Sequence, residues 1–229
     1  EVRLGEVVTA VEEAGDGVAV RLASGDVVAA GVAVVAAGAW ASRLLGGVDG
    51  VPAMRVTVEQ PAHFRPVDEA VPWPSFIHHP GALLTMDRAV HGVYGLAGDE
   101  GVKLGFHGIG AEIDPDVTER PFDADALDDL RRYAETWVPG VVSTRAVPTT
   151  CLYTTTPDHD PVIDRSGAVV VLAGFSGHGF KFGPAIGALA AALALDGAAP
   201  DPLFALTPRI PRTPLSPDTT PDATPGLPR

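Results

Sequence analysis

The chain has 229 residues, 46% hydrophobic and 20% charged, a composition that fits a folded globular protein with a sizeable core. Its formal charge of −13 disfavours nucleic acid and anionic membrane surfaces, which need a cationic face, and no apolar run is long enough for a bilayer-spanning helix. A single cysteine, Cys151, excludes an internal disulfide and a cysteine-rich zinc site, so a reducing cytoplasm is the expected compartment.

From Glu6 to Ala30 valines alternate with polar residues, punctuated by "AGDG" (14–17) and "ASGD" (23–26), which predicts a strand meander with tight turns. Val32, Val34 and Val35 predict an apolar strand buried on both faces, closed by Gly38 before a short helix, "AWASRLL". Between Met54 and Tyr153, "RVTVEQ", "ALLTM", "HGVYGLAG" and "GVKLGFHG" read as short strands. One helix, "DADALDDLRRYAETWV", interrupts them, with Asp123 as its cap and Pro139-Gly140 as its stop. "AVVVLAGF" predicts a second buried strand, which leads into "FSGHGFKFGPAIGALAAALALDG", where a helix of small residues starts near Phe182. From Pro208 onward seven prolines fall within 22 residues, so 207–229 are expected to form a disordered, proline-rich tail.

Two apolar strands that end in glycine-rich turns before helices predict part of an α/β nucleotide-binding sheet, with mostly β sequence between them. No G-x-G-x-x-G occurs: "GHGFKF" has phenylalanine, and "GIGAEI" isoleucine, where the third glycine belongs. The mouth of the last helix presents unpaired N–H groups and a partial positive charge, and Gly177 and Gly179 clear side chains from it. Such a mouth suits an anion or a carbonyl.

In "GVKLGFHG" the period of two puts Lys103, Gly105 and His107 on one face and Val102, Leu104 and Phe106 on the other. The same alternation gives Cys151 and Tyr153 a common face in "TCLYTTTPD". Taken singly, Lys103 reads as a solvated edge-strand lysine, Lys181 as a snorkelling surface lysine and Cys151 as a small buried hydrophobe. His78 and His79 point to opposite faces of a strand and no helical H-x-x-x-H pair exists, so no metal site is expected. The absence of G-x-S-x-G leaves hydrolase chemistry without support.

"VVAAGAWASRLL", "VKLGFH", "IDPD", "CLYTTTPDHDPVID" and "VVVLAGFSGHGFKFGPAIG" occur in this order. Together, over about residues 1–205, they resemble the carboxy-terminal two-thirds of the monomeric sarcosine oxidase and N-methyltryptophan oxidase group, FAD flavoproteins of the D-amino-acid-oxidase type. The resemblance implies an α+β fold in which residues 1–50 are a remnant of an FAD-binding domain. Residues 51–155 would then be a mainly antiparallel substrate domain, and 156–206 the return to the partial FAD-binding α/β sheet.

It also implies the cofactor and its contacts. FAD would be touched by Ala37, Gly38, Trp40, Gly177, His178, Gly179, Phe180 and Lys181, with Cys151 forming a thioether to the flavin 8α-methyl carbon. The helix mouth would meet the pyrimidine end of the flavin. Lys103 would lie over the flavin face opposite the substrate, where an ammonium can stabilise negative charge developing on dioxygen. His107 and Tyr153 would line the substrate pocket, with Tyr94 matching a second pocket tyrosine and Ile77 in "FIHHPG" marking a difference from sarcosine-specific members. Lys181 would bind the substrate carboxylate beside an arginine.

The group's upstream glycine-rich βαβ unit and that arginine do not occur in this sequence, which implies a missing amino-terminal segment and weak FAD binding by this chain alone. The implied reaction is oxidation of a secondary or N-methyl amino acid by dioxygen, giving imine and hydrogen peroxide. Two alternatives stand beside it. The chain could be a catalytically inactive fragment or half of a split flavoprotein, or a relative of glycine and D-amino-acid oxidases, against which "CLYTTTPD" argues.

Overall fold

The computed structural model describes residues 1–79 and 92–207. The strand expected at "ALLTM" and the tail from Pro208 lie outside the described residues. Strands β1 (Val8–Ala14), β2 (Gly17–Leu22) and β3 (Val27–Ala30) form the antiparallel meander read from the valine alternation. Its turns use Gly15 and Gly25 in the left-handed region (φ 64° and 94°), which glycine reaches without steric cost.

β4 (Ala33–Val35) follows, and the glycine turn after it becomes a 3₁₀ turn, Gly38–Trp40, running into the single-turn helix α1 (Ala41–Leu44). The middle of the chain supplies β5 (Arg55–Glu59), β6 (Ala62–Pro66), β7 (Phe76–His78), β8 (Val93–Gly98), β9 (Gly101–Phe106) and β10 (Ala111–Glu112). Helix α2 (Ala124–Trp137) is capped as expected, the Asp123 carboxylate accepting the Ala126 N–H at 3.1 Å. After it come β11 (Val141–Pro148), β12 (Cys151–Thr155), β13 (Val162–Ser166) and β14 (Val169–Ala173). A 3₁₀ turn, Phe180–Phe182, then leads into α3 (Gly183–Ala191), so the α-helix starts one residue after the expected Phe182.

Two sheets organise the middle of the chain. A five-stranded antiparallel sheet runs β11-β6-β9-β8-β7, and a three-stranded one runs β10-β5-β12. Helix α2 lies on one face of the larger sheet. Its Leu127, Leu130 and Tyr133 pack with Phe64, Val93, Leu104 and Phe106 into a closed core.

β4 and β14 are parallel neighbours in a third sheet, completed by β13 on the far side of β14, although some 130 residues separate them in sequence. β14 is buried throughout, as its unbroken apolar run predicts. β4 departs from that expectation. Val35 faces the core, but Val34 is 48% exposed, because among the described residues β4 is an edge strand covered on one face only. Also among the described residues, no helix is long and apolar enough to cross a membrane.

Candidate active site

β9 is central in its sheet, between β6 and β8, so Lys103 does not stand on an edge. Val102, Leu104 and Phe106 turn into the α2 core, which commits Lys103 and Gly105 to the opposite face. Register places His63 and Leu96 on either side of Lys103, and Tyr94 directly opposite Gly105. Gly105 is needed there. A Cβ at that position would stand 2.5 Å from the Tyr94 hydroxyl, so the glycine lets the phenol ring lie flat across β9.

The smaller sheet brings β12 to the same region. Cys151 pairs in register with Glu59, and Tyr153 with Thr57. The Tyr94 and Tyr153 hydroxyls approach each other between the two sheets. Burial raises both phenols, Tyr153 to about 12, so both stay protonated in neutral water. The His107 ring lies 5.5 Å from that of Tyr153 and 4.8 Å from that of His178, centroid to centroid. Tyr94, Tyr153, His107 and His178 therefore form one continuous group.

The turn after β14 is held against β12. Ser176 donates its N–H to the Thr154 carbonyl at 2.9 Å and adopts φ 50°, an uncommon value for a residue with a side chain. Gly177 follows at φ 79°, and the His178 N–H returns to the Phe175 carbonyl at 2.8 Å. Burial, then the nearby Lys181 and His159, lower the His178 pKa, which favours a neutral imidazole.

Cys151 is a free, half-buried thiol. Burial pushes its pKa up, Lys103 and Arg120 pull it down, and Glu59 pushes it up again. The positive potential that a reacting thiolate needs is thus present, but burial outweighs it and the resting group is a thiol.

Not every expected residue joins this group. Phe180 is fully exposed, and Lys181 is exposed with its Nζ 5.2 Å from the Phe182 ring centroid. Both sit on the 3₁₀ turn at the helix mouth, with Lys181 near His178. Ala37, Gly38 and Trp40 form the turn after β4, which packs against β12. Gly38 takes φ 52° there. Ile77 pairs with Tyr94 on the Lys103 face of the sheet and is largely exposed.

Sequence reasoning missed two features. The Trp40 indole donates to Asp116 at 2.7 Å, while Arg43 bonds Asp116 and, at 2.5 Å, Asp114, so the turn after β4 is latched to the "IDPD" segment. The paired aspartates of that motif were its visible trace. The second is Glu59, a buried carboxylate beside Cys151, which nothing in "RVTVEQ" distinguishes from a solvent-facing residue. Among the described residues no group of three or more His, Cys, Asp or Glu could hold a metal. A cleft lined by Trp73, His78, Tyr133 and Trp137 lies on the α2 side of the sheet and touches none of these groups.

The residues fit a planar, electron-rich cofactor. Two left-handed glycines, Gly38 and Gly177, lie in the turns after neighbouring parallel strands; the space beside Gly38 is open, and Gly177 lets the Tyr153 ring lie against the turn. The start of α3 follows the second of these turns, with the Gly183 N–H already bonded to the Phe180 carbonyl and Pro184 supplying none. Cys151 offers a sulfur, and Lys103 a cation, from the adjoining sheets.

Residues 1–193 match the family described as FAD dependent oxidoreductase, DAO. The chain belongs to this family. It is 36% identical over 169 residues to the monomeric sarcosine oxidase of Bacillus sp. (strain NS-129), covering 72% of this chain and 43% of that protein. It is 33% identical over 228 residues to the monomeric sarcosine oxidase of Streptomyces avermitilis, with 91% and 55% covered. The N-methyl-L-tryptophan oxidase of Yersinia pestis is 34% identical over 201 residues, with 84% and 51% covered. The chain therefore spans about half the length of the curated relatives it matches. Among solved structures, NikD, an unusual amino acid oxidase essential for nikkomycin biosynthesis, superposes with a TM-score of 0.71 at 24% identity, over 90% of this chain and 55% of that one. L-proline dehydrogenase from P. horikoshii superposes with a TM-score of 0.68 at 23% identity, over 88% and 53%. These two show a shared fold.

Proposed function

We propose that the protein is an FAD-dependent oxidase of secondary or N-methyl amino acids, consuming dioxygen and giving an imine and hydrogen peroxide. Within it, residues 51–155 form the substrate domain, and residues 1–50 and 156–206 belong to the FAD-binding domain. The observation that carries this reading is the convergence of Lys103, Cys151, Tyr153, His107 and His178 from three sheets at one place. Family membership and the sarcosine and N-methyl-L-tryptophan oxidase relatives support the substrate class.

Bound FAD supplies a two-electron acceptor that dioxygen regenerates. The chain's own residues bind and orient. Ala37, Gly38 and Trp40 on one turn, and Gly177, His178, Gly179 and Phe180 on the other, would hold the ring beside the start of α3. Lys181 at the helix mouth takes the substrate carboxylate. Tyr94 and Tyr153, both protonated, present uncharged hydrogen-bonding groups to a small amino acid, with the His107 ring beside Tyr153. Lys103 holds a fixed positive charge where negative charge develops on dioxygen. Cys151 is the attachment point, its Sγ losing a proton under the pull of Lys103 and Arg120.

The test is covalent retention. In the flavin-loaded protein, flavin should stay with the polypeptide through acid precipitation and a denaturing gel, and Cys151→Ala should release it. Flavin that washes off the unmutated protein would contradict the role of Cys151.

A further inference from the structure

Glu59 closes β5 with 1% of its surface exposed. A buried carboxylate persists only when its oxygens are satisfied, and here all the donors are fixed. The Thr57 hydroxyl donates to Oε1 at 2.6 Å, the Ile109 N–H to Oε2 at 3.2 Å, and the Gly110 N–H to both oxygens, at 3.2 and 3.1 Å. Gly110 permits this approach, since a Cβ there would stand 2.2 Å from the Val58 carbonyl oxygen and 2.7 Å from Glu59 Oε1.

The anchored amides follow directly on His107, whose ring contacts Tyr153 and His178. Glu59 is at the same time the register partner of Cys151. One side chain therefore ties the exit of β9 to the sheet that carries Cys151 and Tyr153. We propose that Glu59 is a positioning residue of this site: its buried carboxylate anchors the chain just after His107 and so fixes the imidazole against Tyr153 and His178. Its negative charge also acts on the pocket, raising Cys151, Tyr94 and Tyr153. The inference rests on the reading of His107 as part of the site, yet the anchor can be tested without cofactor or substrate.

Two readouts on the purified chain test it: amide hydrogen exchange at Ile109 and Gly110, and the pH profile of Cys151 alkylation by iodoacetamide. In Glu59→Leu both amides should exchange at least about tenfold faster, and the His107 ring resonances should move. Glu59→Gln keeps an oxygen for the two amides while the Thr57 hydroxyl turns to accept from the new NH₂. Exchange there should stay within about threefold of the parent. The lost charge should still shift alkylation to lower pH, with Lys103, Arg120, Tyr94 and Tyr153 unchanged around the thiol. If Glu59→Leu does not fold, Glu59→Asp, which keeps the charge but withdraws it by one methylene, should show the same faster exchange. Parental exchange in every folded variant among Glu59→Leu and Glu59→Asp would overturn the anchor, and an unmoved alkylation profile in Glu59→Gln would overturn the field. Neither result bears on covalent flavin retention, and a flavin that washes off leaves the Glu59 anchor standing.

Discussion

The Tyr153 ring rests against Gly177, so closely that a Cβ on the glycine would stand 2.4 Å from two ring carbons. This contact joins β12 to the turn before α3. It is permitted only because Gly177 lacks a side chain and tolerates φ 79°. Gly177→Ala therefore meets both a left-handed backbone and a collision. The expected loss is about 1–3 kcal/mol of unfolding free energy together with displacement of the Tyr153 ring. Denaturant unfolding measures the first, and an unchanged midpoint would contradict the contact.

Asp123 offers a cleaner stability test. Its carboxylate caps α2, while its backbone N–H and carbonyl pair with the Gln60 side chain at 2.7 and 2.6 Å. Asp123→Ala removes the cap and leaves the Gln60 bonds in place. The variant should lose about 1 kcal/mol, or roughly 2–4 °C in Tm for a chain of this size. Calorimetry reads it directly.

The latch between Trp40, Arg43 and Asp116 carries a pH dependence. Trp40, then Arg43, hold the Asp116 carboxyl below its ordinary value of 3.8. The folded pKa is the lower one, so the latch contributes fully above the unfolded carboxylate value and is lost as pH falls through the folded one. All three side chains are exposed, and the effect on Tm at neutral pH should be small. The difference in Tm between the parent and Asp116→Asn should shrink toward zero in acid below the carboxylate range. A difference that persists there would contradict the pairing.

Local patterns made much of the fold legible. The valine alternation of β1 to β3, the capped helix α2 and the unbroken apolar run of β14 each announce their structure over a few residues. β6 and β11 were harder, since each ends in a proline and pairs only with strands distant in sequence. The exposure of Val34 depends on which strands flank β4, and no local window contains that information. For the site, period-two alternation correctly grouped Lys103 with Gly105, and Cys151 with Tyr153, on common faces. The approach of Tyr94 to Tyr153, the Arg43 latch and the burial of Glu59 arise between residues 50 to 73 positions apart, and only tertiary packing reveals them.

Lys103 carries the central claim. Its strand is covered on one face by the α2 core, and its side chain stands on the other, so methionine can replace it without disturbing the packing. A fixed cation that stabilises charge developing on dioxygen contributes on the order of 3 kcal/mol, or about a hundredfold in rate. The decisive measurement is a stopped-flow comparison of the flavin-loaded parent and Lys103→Met, with reduction by substrate under anaerobic conditions followed separately from reoxidation by dioxygen. The account predicts that reduction proceeds and reoxidation slows by at least about a hundredfold. Reoxidation at the parental rate would contradict it and leave Lys103 as a residue of the sheet surface alone.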